Sequence, residues 1–200
     1  MPPSIKKAVE IIRQMGGSIR TAEAIRKGVH PRTLYALRDS GTLEQISRGV
    51  YRLAELGAVS SPDLVTVASR VPHAVICLIS ALSFHNLSTQ IPHEVSIAID
   101  RDSRIPQINF PPISVHKFAS ESFQAGVEVH CIDGVTVRIY NPEKTLADCF
   151  KFRNKIGMDV VLEALKLYKT RKKWNLSELL KYARICRVEN VMKPYLEALI

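Results

Sequence analysis

TAEAIRKGVHPRTLYALRDSGTLEQISRGVYRL, residues 21–53, decides how the first part of this chain folds. Thr21 is a side-chain cap for a short helix in which Glu23 and Ala24 follow, Ile25 faces inward, and Gly28 closes the run. His30-Pro31 opens a second helix, because proline at the first helical position lacks only an N–H that would be unbonded anyway. Leu34 and Leu37 form its apolar side, and Ser40-Gly41 stops it. Leu43 to Ile46, a Ser47-Arg48-Gly49 turn and Val50 to Leu53 then read as a short β-hairpin. Upstream, Ile5, Ala8, Val9, Ile12 and Met15 recur at three and four behind a cap at Ser4, predicting a helix that Gly16-Gly17 ends. Three short helices, the last two joined by a glycine-containing turn and followed at once by a hairpin, predict a winged helix-turn-helix over residues 1–56.

Beyond Gly57 to Pro62 the pattern predicts a second domain over residues 62–200, of α+β class, with a small sheet backed by helices. A helix is expected from Pro62 to Arg70 and another from about Leu78 to Asn86. Val95, Ile97 and Ile99 alternate with polar residues, as do Val127, Val129 and Cys131, then Val135, Val137 and Ile139. Asp133-Gly134 lies between the last two runs and favours a type I′ hairpin, in which both central residues take positive φ. Ile113 to Phe118 is a further expected strand. From Asn141, a cap, the period is helical: Leu146, Cys149 and Phe150 face inward until Gly157. Helices follow at about Asp159 to Lys169, Ser177 to Ile185 and Val188 onward, with Pro194 expected to kink or divide the last.

The chain has 200 residues, 46% of them apolar, enough for a buried core and too much for a disordered tail. Lys and Arg number 28 against 19 Asp and Glu, a formal net charge of +9, which biases the chain toward polyanions. The surplus is concentrated: residues 1–56 carry a net +5, residues 57–140 a net −2, and residues 141–200 a net +6. Two separate electropositive surfaces are therefore expected. No run of eighteen apolar residues occurs and the first residues are helically periodic with charges, so neither a membrane span nor a signal peptide fits, and a cytoplasmic protein is expected. Cys77, Cys131, Cys149 and Cys186 show no C-x-x-C spacing and read as small buried hydrophobes rather than a metal site.

In a helix-turn-helix the second helix of the pair enters the major groove of DNA. With Leu34 and Leu37 buried, Arg32, Thr33, Tyr35, Ala36 and Arg38 are left facing outward. Arginine pairs with guanine O6 and N7, and an alanine or threonine methyl touches the thymine methyl, so this face suits base reading. Arg20, Thr21, Arg48 and Arg52 are expected at phosphates or the flanking groove. Lys6, Lys7 and Arg26 would add general attraction. In the last third, Lys151, Arg153 and Lys155 end one helix, and Lys169, Arg171, Lys172 and Lys173 follow another. They predict a second basic surface for RNA, flanking DNA or an acidic protein face, although helix dipoles alone also favour cations there.

Residues 21–53, then ALSFHNL at 81–87, NPEKTLADCFKF at 141–152 and LLKYARICRVENVMKPYLEALI at 179–200, resemble the abortive-infection antitoxin (AbiEi) family of bacterial and archaeal toxin-antitoxin regulators. The resemblance runs along nearly the whole chain and is poor from Ile105 to Gln124. It implies a winged-helix repressor of its own operon joined to a C-terminal antitoxin domain that counteracts a nucleotidyltransferase-like toxin, without requiring a stable complex. By matching positions it gives groove reading to His30–Ser40 and the wing to Gln45–Arg52. Operators in such systems are inverted repeats, so two molecules on DNA are expected; the resemblance brings no cofactor.

The alternative is an enzyme acting on nucleic acid, a metal-dependent nuclease guided by the winged helix. Its carboxylates would come from Asp100, Asp102, Glu94, Asp133, Glu143 or Asp148, with His85, His93, His116 or His130 and Lys144 nearby. A nuclease strand of this kind carries an acid-x-lysine, which is absent from the sequence. Glu143 fits a favourable charge in a helix's first turn, Asp100 and Asp102 fit a turn, and no Walker loop or nucleophile elbow occurs. The sequence therefore reads as non-enzymatic.

Overall fold

The computed structural model describes residues 2–57, 60–172 and 174–198. The chain divides into two compact units: residues 1–72 with 130–137, and residues 73–129 with 138–200. This differs from an expected division at 57–62. The helix at 62–70 belongs with the first unit, and so does the tip of a hairpin far along the sequence.

The first unit has helices α1 (Pro3–Gln14), α2 (Thr21–Arg26), α3 (Pro31–Asp39) and α4 (Pro62–Arg70), and strands β1 (Ser18–Arg20), β2 (Leu43–Ser47) and β3 (Val50–Leu53). The strands form an antiparallel sheet in the order β1-β3-β2, with Ser18 opposite Arg52 and Leu43 opposite Leu53. Its core joins Ala8 and Ile12 of α1, Ala24 of α2, Leu34 and Leu37 of α3, and Tyr51 and Leu53 of β3, all at most 3% exposed. Three local expectations change. Strand β1 is too short to show a period in the sequence. The cap of α2 is Arg20 rather than Thr21, and that of α1 is Pro2 rather than Ser4, neither with a side-chain bond. Ile25, expected inside, is 51% exposed.

The hairpin tip at 130–137 is fixed within this unit. Asp133 and Gly134 both take positive φ, 50° and 76°, as an Asp-Gly loop requires. A Cβ on Gly134 would lie 2.4 Å from the Gly16 carbonyl oxygen, so only glycine permits this approach. Ser18 donates its hydroxyl to the Asp133 carbonyl, and the Asp133 carboxylate accepts from Ser60 N and Oγ, each at 2.9 Å.

The second unit contains β4 (Val75–Ile76), α5 (Leu78–Phe84), β5 (Val95–Asp100), β6 (Ile113–Phe118) and α6 (Ser120–Gln124). Then come β7 (Val127–Ile132) and β8 (Val135–Tyr140), whose residues 130–137 belong to the first unit, and α7 (Pro142–Lys151), α8 (Arg153–Ile156), α9 (Met158–Lys169), α10 (Leu176–Ile185) and α11 (Glu189–Glu197). The sheet is mixed, in the order β6-β5-β4-β8-β7: β4 pairs antiparallel with β5 and parallel with β8, and β5 pairs parallel with β6. Helix α7 is central and packs against α5, α9, α10 and α11, burying Leu146, Cys149 and Phe150 as the periodicity predicts. Helix α11 runs through Pro194 without dividing. On β7, which lies at the sheet edge, Val129 is 68% exposed, and Cys131 is exposed rather than buried as expected. Cys77, Cys149 and Cys186 are buried. Among the described residues no helix is long and apolar enough to cross a membrane.

Candidate nucleic-acid interface

Helix α3 turns one side to solvent. His30 caps it, its Nδ1 accepting from Arg32 N at 3.2 Å, and Pro31 takes the first position. Leu34 and Leu37 are at most 1% exposed, and that anchorage turns Arg32, Tyr35, Ala36 and Arg38 to solvent, with Thr33 half-buried. Tyr35 is 43% exposed. The Arg38 guanidinium lies 5.3 Å from the Tyr35 ring centroid and donates to Asp39 at 2.8 Å, which holds its pKa above the ordinary value through that hydrogen bond and the carboxylate's charge. Arg38 is thus partly engaged, whereas Arg32 makes no ion pair among the described residues.

The flanking residues separate into exposed and engaged groups. Arg48 is exposed on the turn between β2 and β3. Arg52, expected at a phosphate, is not available: it is 2% exposed, with bonds to Glu44 Oε1 (3.2 Å), Asp133 Oδ1 (3.3 Å) and the carbonyls of Gly57 (2.6 Å) and Leu56 (3.1 Å). Strand β3 is the middle strand of its sheet and all four of its residues are buried, so an arginine there requires internal partners. Thr21 is also diverted, since its amide and its hydroxyl both donate to the Gly49 carbonyl, at 2.9 and 3.2 Å. It fixes the β2–β3 turn against α2. Arg20 is half-buried, with one N–H on the Ala68 carbonyl at 3.0 Å.

In the second unit the expected basic surface is two groups. Tyr168, near the end of α9, donates to Glu143 in the first turn of α7, so the cations that follow α9 lie by the start of α7. Lys151, Arg153 and Lys155 lie at the other end, about 12 Å away at 1.5 Å per residue. Lys169 and Lys172 are exposed and Arg171 is half-buried; Lys173 lies outside the described residues. Lys151 and Lys155 are exposed, while Arg153 is half-buried and donates to the Phe150 carbonyl at 2.9 Å.

Helix α7 also carries a buried charged cluster. Lys144 and Asp148 are both 0% exposed and bonded at 2.5 Å. The Lys144 ammonium lies 4.2 Å from the Tyr140 ring centroid and 4.9 Å from that of Phe118. Cys186 donates its thiol to Asp148 at 3.2 Å. Burial pushes the Asp148 carboxyl above its ordinary range while Lys144 pulls it back, and burial pushes the Cys186 thiol up to about 12. Such thiols are poor nucleophiles. The i,i+4 spacing of Lys144 and Asp148 was the available signal; their burial had none.

Three of the other candidate polar residues make contacts within the fold. His85 Nε2 bonds the Tyr140 carbonyl at 2.7 Å, and Asp100 accepts from the Asp102 amide at 3.1 Å, a turn contact. His116 packs edge-on against Phe152 at 5.2 Å, and burial and then the charge of Lys155 lower its pKa. Among the described residues no three His, Cys, Asp or Glu side chains are grouped so as to hold a metal ion.

Comparison with known proteins gives two findings. Residues 6–54 match the family model described as "Transcriptional regulator, AbiEi antitoxin". That match covers about a quarter of the chain, less than the resemblance in sequence had implied, and spans α1 to β3. The fold is similar to the crystal structure of the RV2827C protein from Mycobacterium tuberculosis, with a TM-score of 0.54 at 13% identity, over 95% of this chain and 79% of that one. At that identity the likeness is one of fold. No curated protein matches the chain in sequence.

Proposed function

We propose that this chain is a sequence-specific DNA-binding transcriptional regulator whose first unit is a winged helix-turn-helix, and that it acts as both autorepressor and antitoxin. The observation that carries the reading is the solvent-facing side of α3, with Arg32, Tyr35, Ala36 and Arg38 displayed above Leu34 and Leu37 and Arg48 exposed on the adjoining turn. Arg32 and Arg38 reach guanine edges, Ala36 and Thr33 touch thymine methyls, and Arg48 meets the backbone or flanking groove. Arg20 supports the α2 end of this surface, Thr21 positions the turn that carries Arg48, and Arg52 holds the sheet together from within. The match of residues 6–54 to a regulator family supports the same role.

The partner in this reading is double-stranded operator DNA with inverted repeats, occupied by two molecules, and the functional counterpart is a nucleotidyltransferase-like toxin. The antitoxin contact falls to the basic groups of the second unit, Lys151, Arg153 and Lys155 at one end of α7 and Lys169, Arg171 and Lys172 at the other. The chain itself performs no catalysis and acts in the cytoplasm. Footprinting of the promoter upstream of its own gene tests the regulator role. Two protected half-sites spaced by roughly 34 Å or a multiple of it are expected, and uniform reactivity along the fragment would refute it.

A further inference from the structure

Five helices of this protein end in the same backbone motif, in which the amide two positions past the C-cap bonds back across the last turn and the residue before it takes positive φ. At the ends of α1, α2 and α3 that residue is Gly16, Gly28 or Gly41, and at the end of α5 it is Asn86, with φ 54°. At the end of α10 it is Arg187, with φ 59°; the Val188 amide bonds the Ala183 carbonyl at 2.8 Å and the Arg187 amide bonds Arg184 at 3.0 Å. The left-handed conformation is disfavoured for a branched or long side chain, and glycine is its usual occupant. An arginine there opposes local preference, and its side chain is exposed and without an ion pair among the described residues.

What that side chain faces is a cleft of about 580 Å³ within the second unit. Arg101, after β5, Lys151 and Arg153, around the α7–α8 junction, and Arg187 bring four cations to its wall, against one carboxylate, Glu121. None of the four is paired with a carboxylate among the described residues. Like charges held around one concavity repel, and an anion bound there removes that repulsion. Ile185, Val188 and Val191 give the cleft an apolar side, and the volume falls within the roughly 300–1,000 Å³ of small-molecule sites. A single phosphate, with about two negative charges, would leave part of the cationic wall unmatched and most of the space and the apolar side uncovered.

We propose that this cleft binds a nucleoside triphosphate, its polyphosphate among Arg101, Lys151, Arg153 and Arg187 and its base against Ile185, Val188 and Val191. The inference rests on the proposed role of the second unit's basic groups to the extent that Lys151 and Arg153 belong to both, and it needs nothing from α3. Calorimetric titration of the full chain with ATP tests it, with adenosine, inorganic phosphate and a single-stranded oligoribonucleotide as separate arms. One ATP is expected per chain, with adenosine and inorganic phosphate each bound at least tenfold more weakly. R187G is expected to weaken ATP at least tenfold with a thermal midpoint equal to or above that of the parent, and R101A to weaken it similarly. A gel shift of both variants on the promoter fragment is expected unchanged, which separates failure of the cleft from failure of the DNA reading. The proposal is overturned if ATP fails to bind at millimolar concentration, if inorganic phosphate binds as well as ATP, if only the oligoribonucleotide binds, or if R187G and R101A bind ATP like the parent.

Discussion

Arg48 and Arg52 flank one turn, four positions apart, and end in opposite environments, one in solvent and the other 2% exposed. The side-chain chemistry is identical, so burial decides the role. The sequence made Leu34 and Leu37 legible as the inner side of α3, because a spacing of three is a local property of the helix. It could not make Arg52 legible, because Asp133, one of its two carboxylate partners, lies 81 residues further on. Lys144 is the same case, since its own spacing to Asp148 reads equally as a solvated i,i+4 pair. The consequence for Arg52 is testable. Arg52→Ala leaves Asp133 Oδ1 and the Gly57 and Leu56 carbonyls without the Arg52 donor, and it is expected to destabilise the protein by about 3–5 kcal/mol in urea unfolding, whereas Arg32→Ala is expected to stay within about 0.5 kcal/mol. A stable Arg52→Ala protein that had lost only DNA affinity would return Arg52 to the interface.

At the level of elements, periodicity located the described helices from α3 onward that exceed eight residues, and the Asp-Gly hairpin, because each carries a repeat or a turn residue with a fixed conformational demand. It missed β1 and β4, of three and two residues, which are too short to repeat anything. It located β7 but not the exposure of Cys131 there, because alternation identifies a strand and does not say which side a neighbouring element covers. The two cation groups at opposite ends of α7 follow from how α9 runs back along α7, a tertiary fact. They should therefore act separately. Charge reversal by K169E, R171E and K172E is expected to abolish protection of cells expressing the toxin while leaving the promoter gel shift unchanged; full protection by that variant would remove the α9 end from the antitoxin role.

For the molecule as a whole, composition conveyed the two basic regions and the α+β class, since charge and period are summed over many residues. Composition suggested a boundary at 57–62, whereas the first compact unit takes in residues 1–72 with 130–137, a distant part of the chain on which composition is silent. On the proposed reading a single α3 would read few base pairs, and specificity would come from two copies on one operator. The electrostatic part of that binding is sequence-independent, and if about six phosphates are neutralised per molecule the slope of log K against log salt is near −5. Base reading is distinguishable from this background only by competition. The decisive measurement is the affinity of the parent and Arg32→Ala proteins for the promoter fragment and for an unrelated fragment at one salt concentration. The account predicts that Arg32→Ala loses about 1–3 kcal/mol of discrimination between them while its affinity for the unrelated fragment changes little. An unaltered ratio of the two affinities, or a parent protein that binds both fragments equally, would contradict it.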